Sequence, residues 1–68
     1  MKPISVEFYR WAADPEETPL WGAEMFVIPR FGDDICVGAD LEESGTVRKV
    51  EWAIGGDTDE VKVTVWIK

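Results

Sequence analysis

Val61-Lys62-Val63-Thr64-Val65-Trp66-Ile67 is the cleanest alternation in the chain. Val61, Val63, Val65 and Ile67 fall on one face and Lys62, Thr64 and Trp66 on the other, the period of two that a half-buried strand requires. Gly55-Gly56-Asp57-Thr58-Asp59 just before it reads as a turn. Residues 46–54 precede that turn and alternate in the same way, with Val50, Trp52 and Ile54 inward, so the two runs predict a hairpin. Val47 has the wrong parity for that inward set, which predicts a bulge near Arg48 and Lys49 that resets the register.

Residues 3–12 alternate with Ile4, Val6 and Phe8 on one side and predict a first strand. Asp14-Pro15-Glu16-Glu17 carries the marks of a helix start, an aspartate cap followed by proline, and Pro19 limits it to about one turn. Residues 23–29 are apolar and short, which predicts a strand buried on much of both faces. A brief strand follows at 34–38 with Ile35 and Val37 inward, and the acidic stretch 39–45 reads as a loop. Five short strands with frequent turns and no sustained helical period predict a mostly β fold, a small curled antiparallel sheet or half-barrel with one short helical turn. The stretch Pro29-Arg30-Phe31-Gly32-Asp33-Asp34-Ile35 with Gly45-Thr46-Val47 resembles the strand and turn rhythm of SH3-like barrels over half the chain. The alternative is an α+β arrangement with a helix over 14–26 across one sheet face, against which Pro19 and Gly22 speak.

Size limits what such a sheet can do. The chain has 68 residues, enough for one domain over 1–68, and a chain this short buries only about 60% of its unfolded surface. The core is therefore small, and most of the rings of Tyr9, Trp11, Trp21, Trp52 and Trp66 are expected to help fill it. Trp11 and Trp66, on the polar side of their strands, are the candidates for exposure. The C-terminal alternating run is also a candidate edge for pairing two copies, although a monomer is the primary expectation. Cys36 is the one cysteine, too few for a disulfide, and no apolar run reaches signal or membrane-spanning length, so a soluble cytoplasmic protein is expected.

Several chemistries lack their residues. Without histidine the commonest general base and metal ligand is missing, and a lone cysteine makes no thiolate cluster, so zinc is set aside. Gly55-Gly56 leads into Asp57 rather than into a lysine and a helix, so no phosphate loop is present. Asp33, Asp34, Asp57 and Asp59 have the right type for acid–base work or calcium, but acidic turns are ordinary solvated punctuation and the twelve-residue calcium-loop spacing is not met. Cys36 has acidic neighbours that do nothing to lower its pKa, and a structural role is expected of it. No enzyme activity and no cofactor are expected.

The placement of charge is the more informative signal. Seven Lys and Arg stand against fourteen Asp and Glu, a net charge of −7. The acids gather in connections: Asp14, Glu16 and Glu17 in the first, Asp33 and Asp34 in the second, Asp40, Glu42 and Glu43 in the third, Asp57, Asp59 and Glu60 in the fourth. In an up-and-down sheet alternate connections share an end, which groups the first with the third and the second with the fourth. Such a protein repels the phosphate backbone, so direct nucleic-acid binding is not expected despite the rings. Its complement is a strongly basic surface, of which nucleic-acid-binding grooves are the largest class.

In size, charge and texture over its full length the chain resembles the small acidic inhibitors of bacteriophages and mobile elements, among them DNA-mimicking anti-CRISPR and anti-restriction proteins. The resemblance implies a non-enzymatic viral protein in the cytoplasm of a bacterial host that blocks target-DNA binding, for example where a Cascade complex reads the PAM duplex. The partner-binding candidates are the eleven acids of the four connections, with Trp11, Trp21 and Trp66 as apolar anchors beside them. The rival reading is an SH3-like adaptor that grips a peptide through exposed aromatics.

Overall fold

The computed structural model describes residues 2–11, 19–56 and 60–68, and each regular element among them is a strand. Strands β1 (Ile4–Arg10), β2 (Trp21–Met25), β3 (Asp34–Val37), β4 (Glu43–Ile54) and β5 (Val61–Ile67) form one sheet in the order β2-β1-β5-β4-β3. Successive strands alternate in direction, so the first and fifth run the same way. They meet as a parallel pair from Ser5↔Lys62 to Arg10↔Ile67, while the other three pairs are antiparallel. The expected all-antiparallel sheet is thus mixed, because an odd number of alternating strands wrapped around a cylinder must bring two like-directed strands together. Around that cylinder the order is β1 to β5 in sequence. The barrel is nearly closed, with its gap between the edges of β2 and β3.

The small mostly β fold stands, and the α+β alternative does not: Trp21–Met25, which a helix over 14–26 would have included, is a strand. The helical turn expected at 14–17 lies outside the described residues. β5 is central, with β1 on one side and β4 on the other, so the proposed use of the C-terminal run as a dimer edge is ruled out. Its inward Val63, Val65 and Ile67 are fully buried, as the alternation requires. The predicted bulge is present, a register shift between Val47 and Lys49 that leaves Arg48 as the extra residue.

Val6, Phe8, Val37, Val47, Val63, Val65 and Ile67 make the core. Six of these seven are β-branched and one is aromatic, so the core is not the ring-filled one expected. A five-stranded barrel has a narrow interior, because diameter grows with strand number, and compact valines fit it where tryptophans do not. Trp11, Trp21 and Trp52 are each exposed by 41% or more. Burial of the core valines and of Phe8 supplies about 1.5–3 kcal/mol per side chain.

Three strand boundaries differ from expectation for local reasons. β2 ends at Met25 opposite Ile4, and the residue before Ile4 is Pro3, which has no amide N–H to extend the ladder. Phe26 and Val27, expected inside a strand buried on both faces, are instead exposed. β4 begins at Glu43, not after Gly45, so Glu43, Ser44 and Gly45 belong to a strand rather than a loop. Gly45 permits a close backbone approach there: a Cβ on it would lie 2.7 Å from the Lys68 carbonyl oxygen. Trp52 and Ile54 share the inward face of β4 but are not buried, because β3 covers β4 only from Glu43 to Thr46.

Two isoleucines with the same expected orientation therefore differ in weight. In urea unfolding, Ile67→Ala is expected to cost about 2–5 kcal/mol, and Ile54→Ala to stay within about 0.5 kcal/mol of the parent. Gly45→Ala is expected to cost about 1–3 kcal/mol by forcing the Lys68 backbone aside.

Candidate functional site

The site builds from the β3–β4 hairpin. Asp33, Asp34, Asp40, Glu42 and Glu43 lie within or beside it, and residues 31–47 contain no base. Gly38 at φ 107° and Leu41 at φ 55° shape the connection between β3 and β4, with the Leu41 amide donating to the Gly38 carbonyl at 3.2 Å. A leucine in the left-handed region is strained by roughly 1–2 kcal/mol. Asp40 and Glu42 are exposed around it.

Each hairpin acid has a distinct setting. Asp33 accepts a hydrogen bond from the Arg30 amide at 2.8 Å, which closes the turn before β3. Asp34 accepts one from the Thr46 hydroxyl at 3.0 Å across the hairpin. Glu43 is bridged by Arg10, whose Nη2 lies 2.7 Å from Oε2 while Nη1 donates to the Ser44 carbonyl at 3.0 Å. That fork ties the hairpin to β1, and Glu43 becomes an internal anchor rather than free charge. Asp34, Asp40 and Glu42, like Asp33, have no cation within 4.0 Å among the described residues.

The expected pairing of connections is revised by this geometry. Strand directions do put residues 38–42 at the same end as Trp11 and Leu20, which flank the first connection. Asp14, Glu16 and Glu17 of that connection lie outside the described residues. The second connection starts at the opposite end with Phe26 but climbs along β4: the Gly32 amide donates to the Val47 carbonyl and the Val47 amide to the Asp33 carbonyl, each at 2.9 Å. Asp34 consequently sits opposite Thr46, eight residues along β4 from Ile54, or roughly 25 Å of strand. It joins the hairpin acids and not Glu60, which is exposed beside the start of β5; Asp57 and Asp59 lie outside the described residues.

Neutralised charge lies on the barrel wall. Lys62 pairs with Glu7 at 3.6 Å and Lys49 with Glu51 at 3.5 Å. The rings of Tyr9 and Trp66 lie tilted by 30° with centroids 6.2 Å apart, and the Lys49 ammonium stands 5.0 Å from the Trp66 ring centre. Trp66 is therefore a half-buried wall residue, not the freely exposed anchor expected, whereas Trp11 is exposed as anticipated. Trp21 and Leu41 both line an apolar cleft of about 260 Å³ in the β2–β3 gap. Cys36, at the same gap, is exposed.

Other exposed apolar residues were missed: Phe26, Val27, Phe31 and Leu41, all at 62% exposure or more. Phe31 and Leu41 carried a usable signal, since a large apolar side chain beside Gly and Asp in a turn has no strand to bury it. Among the described residues no cluster of three or more Cys, Asp and Glu is arranged to hold a metal, and no helix is long and apolar enough to cross a membrane.

Partial burial, then the Tyr9 hydroxyl's hydrogen bond to Glu7 at 3.2 Å and that carboxylate's charge, push the phenol above its ordinary pKa. A raised folded-state pKa favours the folded chain below the ordinary value, and the advantage is lost as pH rises through the folded one. Tyr9 is the sole tyrosine, so alkaline titration of phenolate absorbance reads it alone. Its midpoint is expected above that of the unfolded chain, and Glu7→Gln is expected to lower it. No protein family matches the chain, and neither a curated protein nor a solved structure matches it.

Proposed function

We propose that this protein is a non-enzymatic inhibitor that binds a basic nucleic-acid-binding surface by presenting carboxylates where duplex phosphates would lie. The observation that carries the reading is the β3–β4 hairpin, where Asp33, Asp34, Asp40 and Glu42 stand without a cation while the wall acids Glu7 and Glu51 are paired. Two hydrogen-bonded strands and the Arg10 fork frame the turn that carries these charges, and a cluster so placed can match a groove of arginines and lysines. Occupying the groove excludes DNA from it. An anti-CRISPR that blocks PAM-duplex binding by a Cascade complex is one form of this activity, with the bacterial cytoplasm as its setting and a phage as its carrier. The adaptor reading is favoured by different residues, the exposed rings Phe26, Phe31 and Trp52, which would confer salt-resistant binding.

Capture from a bacterial lysate at about 0.1 M and then 0.5 M salt separates the two, because screening removes charge-driven contacts and spares apolar ones. Mimicry predicts recovery of a DNA-binding complex that duplex DNA competes away and that 0.5 M salt releases. Asp40→Lys with Glu42→Lys is expected to abolish that recovery, while Glu24→Lys on the outer face of β2 leaves it intact. Recovery that survives 0.5 M salt and the hairpin reversal, but fails with Trp52→Ala, would put the adaptor reading in its place.

A further inference from the structure

Among the described residues, a largely apolar face runs from the barrel end opposite the hairpin tip along β4 as far as Phe31. Phe26, Val27, Phe31 and Trp52 line one open groove of about 660 Å³, and Ile54 continues the same face of β4 two residues beyond Trp52. Their exposures are 62%, 79%, 72%, 48% and 75%. An aromatic side chain carries about 150–250 Å², so the three rings alone leave on the order of 350 Å² in water. With the two aliphatic residues the patch is on the order of 600 Å², the upper limit for the largest patch on a typical monomer. It is also most of the roughly 800 Å² that each partner contributes to a stable interface.

We propose that a second copy of this chain covers this face, making a two-fold dimer with the acidic hairpins directed outward. Charge selects the occupant. The chain carries −7, and two hairpins brought together would repel. Among the described residues the rim at the apolar end has both signs: Lys2 lies beside Glu24 and Glu60, and Arg30 lines the groove itself. A two-fold axis places a mixed rim against its own copy with cations facing anions, which a single-signed rim cannot do. The contact is between faces, not strand edges. The lower half of β4 has no strand beyond it among the described residues, but the bulge at Arg48 and the charges of Lys49 and Glu51 guard that edge against strand addition.

Light scattering on the eluting protein, at loads from about 5 to 200 µM, tests this directly. The expected mass at the higher loads is twice the 7.7 kDa of one chain and is unchanged in 0.5 M salt, since apolar burial is not screened. Trp52→Glu and, separately, Val27→Glu are expected to raise the dissociation constant by about 30-fold or more. Val27 is the most exposed residue of the patch, so its replacement tests the contact even if Trp52→Glu proves unstable by circular dichroism. A wild-type chain that stays monomeric at 200 µM overturns the proposal and leaves the face to a foreign apolar partner. A dimer that both folded variants leave intact overturns it equally, since the contact then lies elsewhere.

Discussion

The parallel seam between β1 and β5 closes this barrel. Six consecutive register pairs join the beginning of the described chain to its end, so that a meander of five strands becomes a nearly closed barrel. The Trp11 amide extends the seam by donating to the Ile67 carbonyl at 2.7 Å. Such pairing closes a loop of almost the whole chain, with an entropic cost that grows only logarithmically with loop length. The return is concentrated: Val6 and Phe8 from one strand and Val63, Val65 and Ile67 from the other supply five of the seven core residues. Without the seam β5 would be a hairpin strand with one bare edge, and its valines would have no opposite wall.

Closure around so few strands has a second consequence, visible in what the core excludes. The interior accepts valine, isoleucine and one phenylalanine, and the four tryptophans are left to the wall, the gap and the ends. Trp66 is retained on the wall by Tyr9 and by the Lys49 ammonium, so its ring is satisfied within the molecule. Trp52 has no such company. β3 is four residues long and pairs with β4 only as far as Thr46, which leaves Trp52 beside the connection 26–31 instead of a strand and Ile54 exposed. The exposed apolar end thus follows from a mismatch in strand length, twelve residues in β4 against four in β3.

Legibility from the sequence followed the range of the forces involved. The β5 alternation, the hairpin with β4 and the bulge at Arg48 are local patterns, and each was readable from parity alone. Strand order was not, because the alternation of Ile4, Val6 and Phe8 is compatible with either neighbour, and only the assembled barrel shows that β1 takes β5. Gly45 misled for a related reason: a glycine after Glu42, Glu43 and Ser44 has the composition of a turn, and its use as a point of backbone contact with Lys68 depends on a residue distant in sequence. The acids were legible as a set but not as a grouping. Their even spread along the chain pointed to two shared ends, whereas the climb of the second connection up β4 carries Asp33 and Asp34 to the hairpin.

The two ends can be understood as one electrostatic arrangement. Cations are scarce in this chain, and where they stand decides which acids remain available. Lys49 and Lys62 are spent on Glu51 and Glu7 of the wall, and Arg10 on Glu43 where β4 leaves the hairpin turn. In each case the pair is partly exposed and contributes about 1 kcal/mol or less, so stability alone is a weak reason for the arrangement. Its larger effect is on which acids stand free: with Glu7, Glu43 and Glu51 paired, four of the six remaining described acids, Asp33, Asp34, Asp40 and Glu42, lie in or beside the hairpin. A hairpin held by cross-strand hydrogen bonds loses little conformational entropy when a basic surface closes on it, whereas the same carboxylates on a flexible tail would lose more. On the proposed function, the geometry of the array would matter as much as its charge.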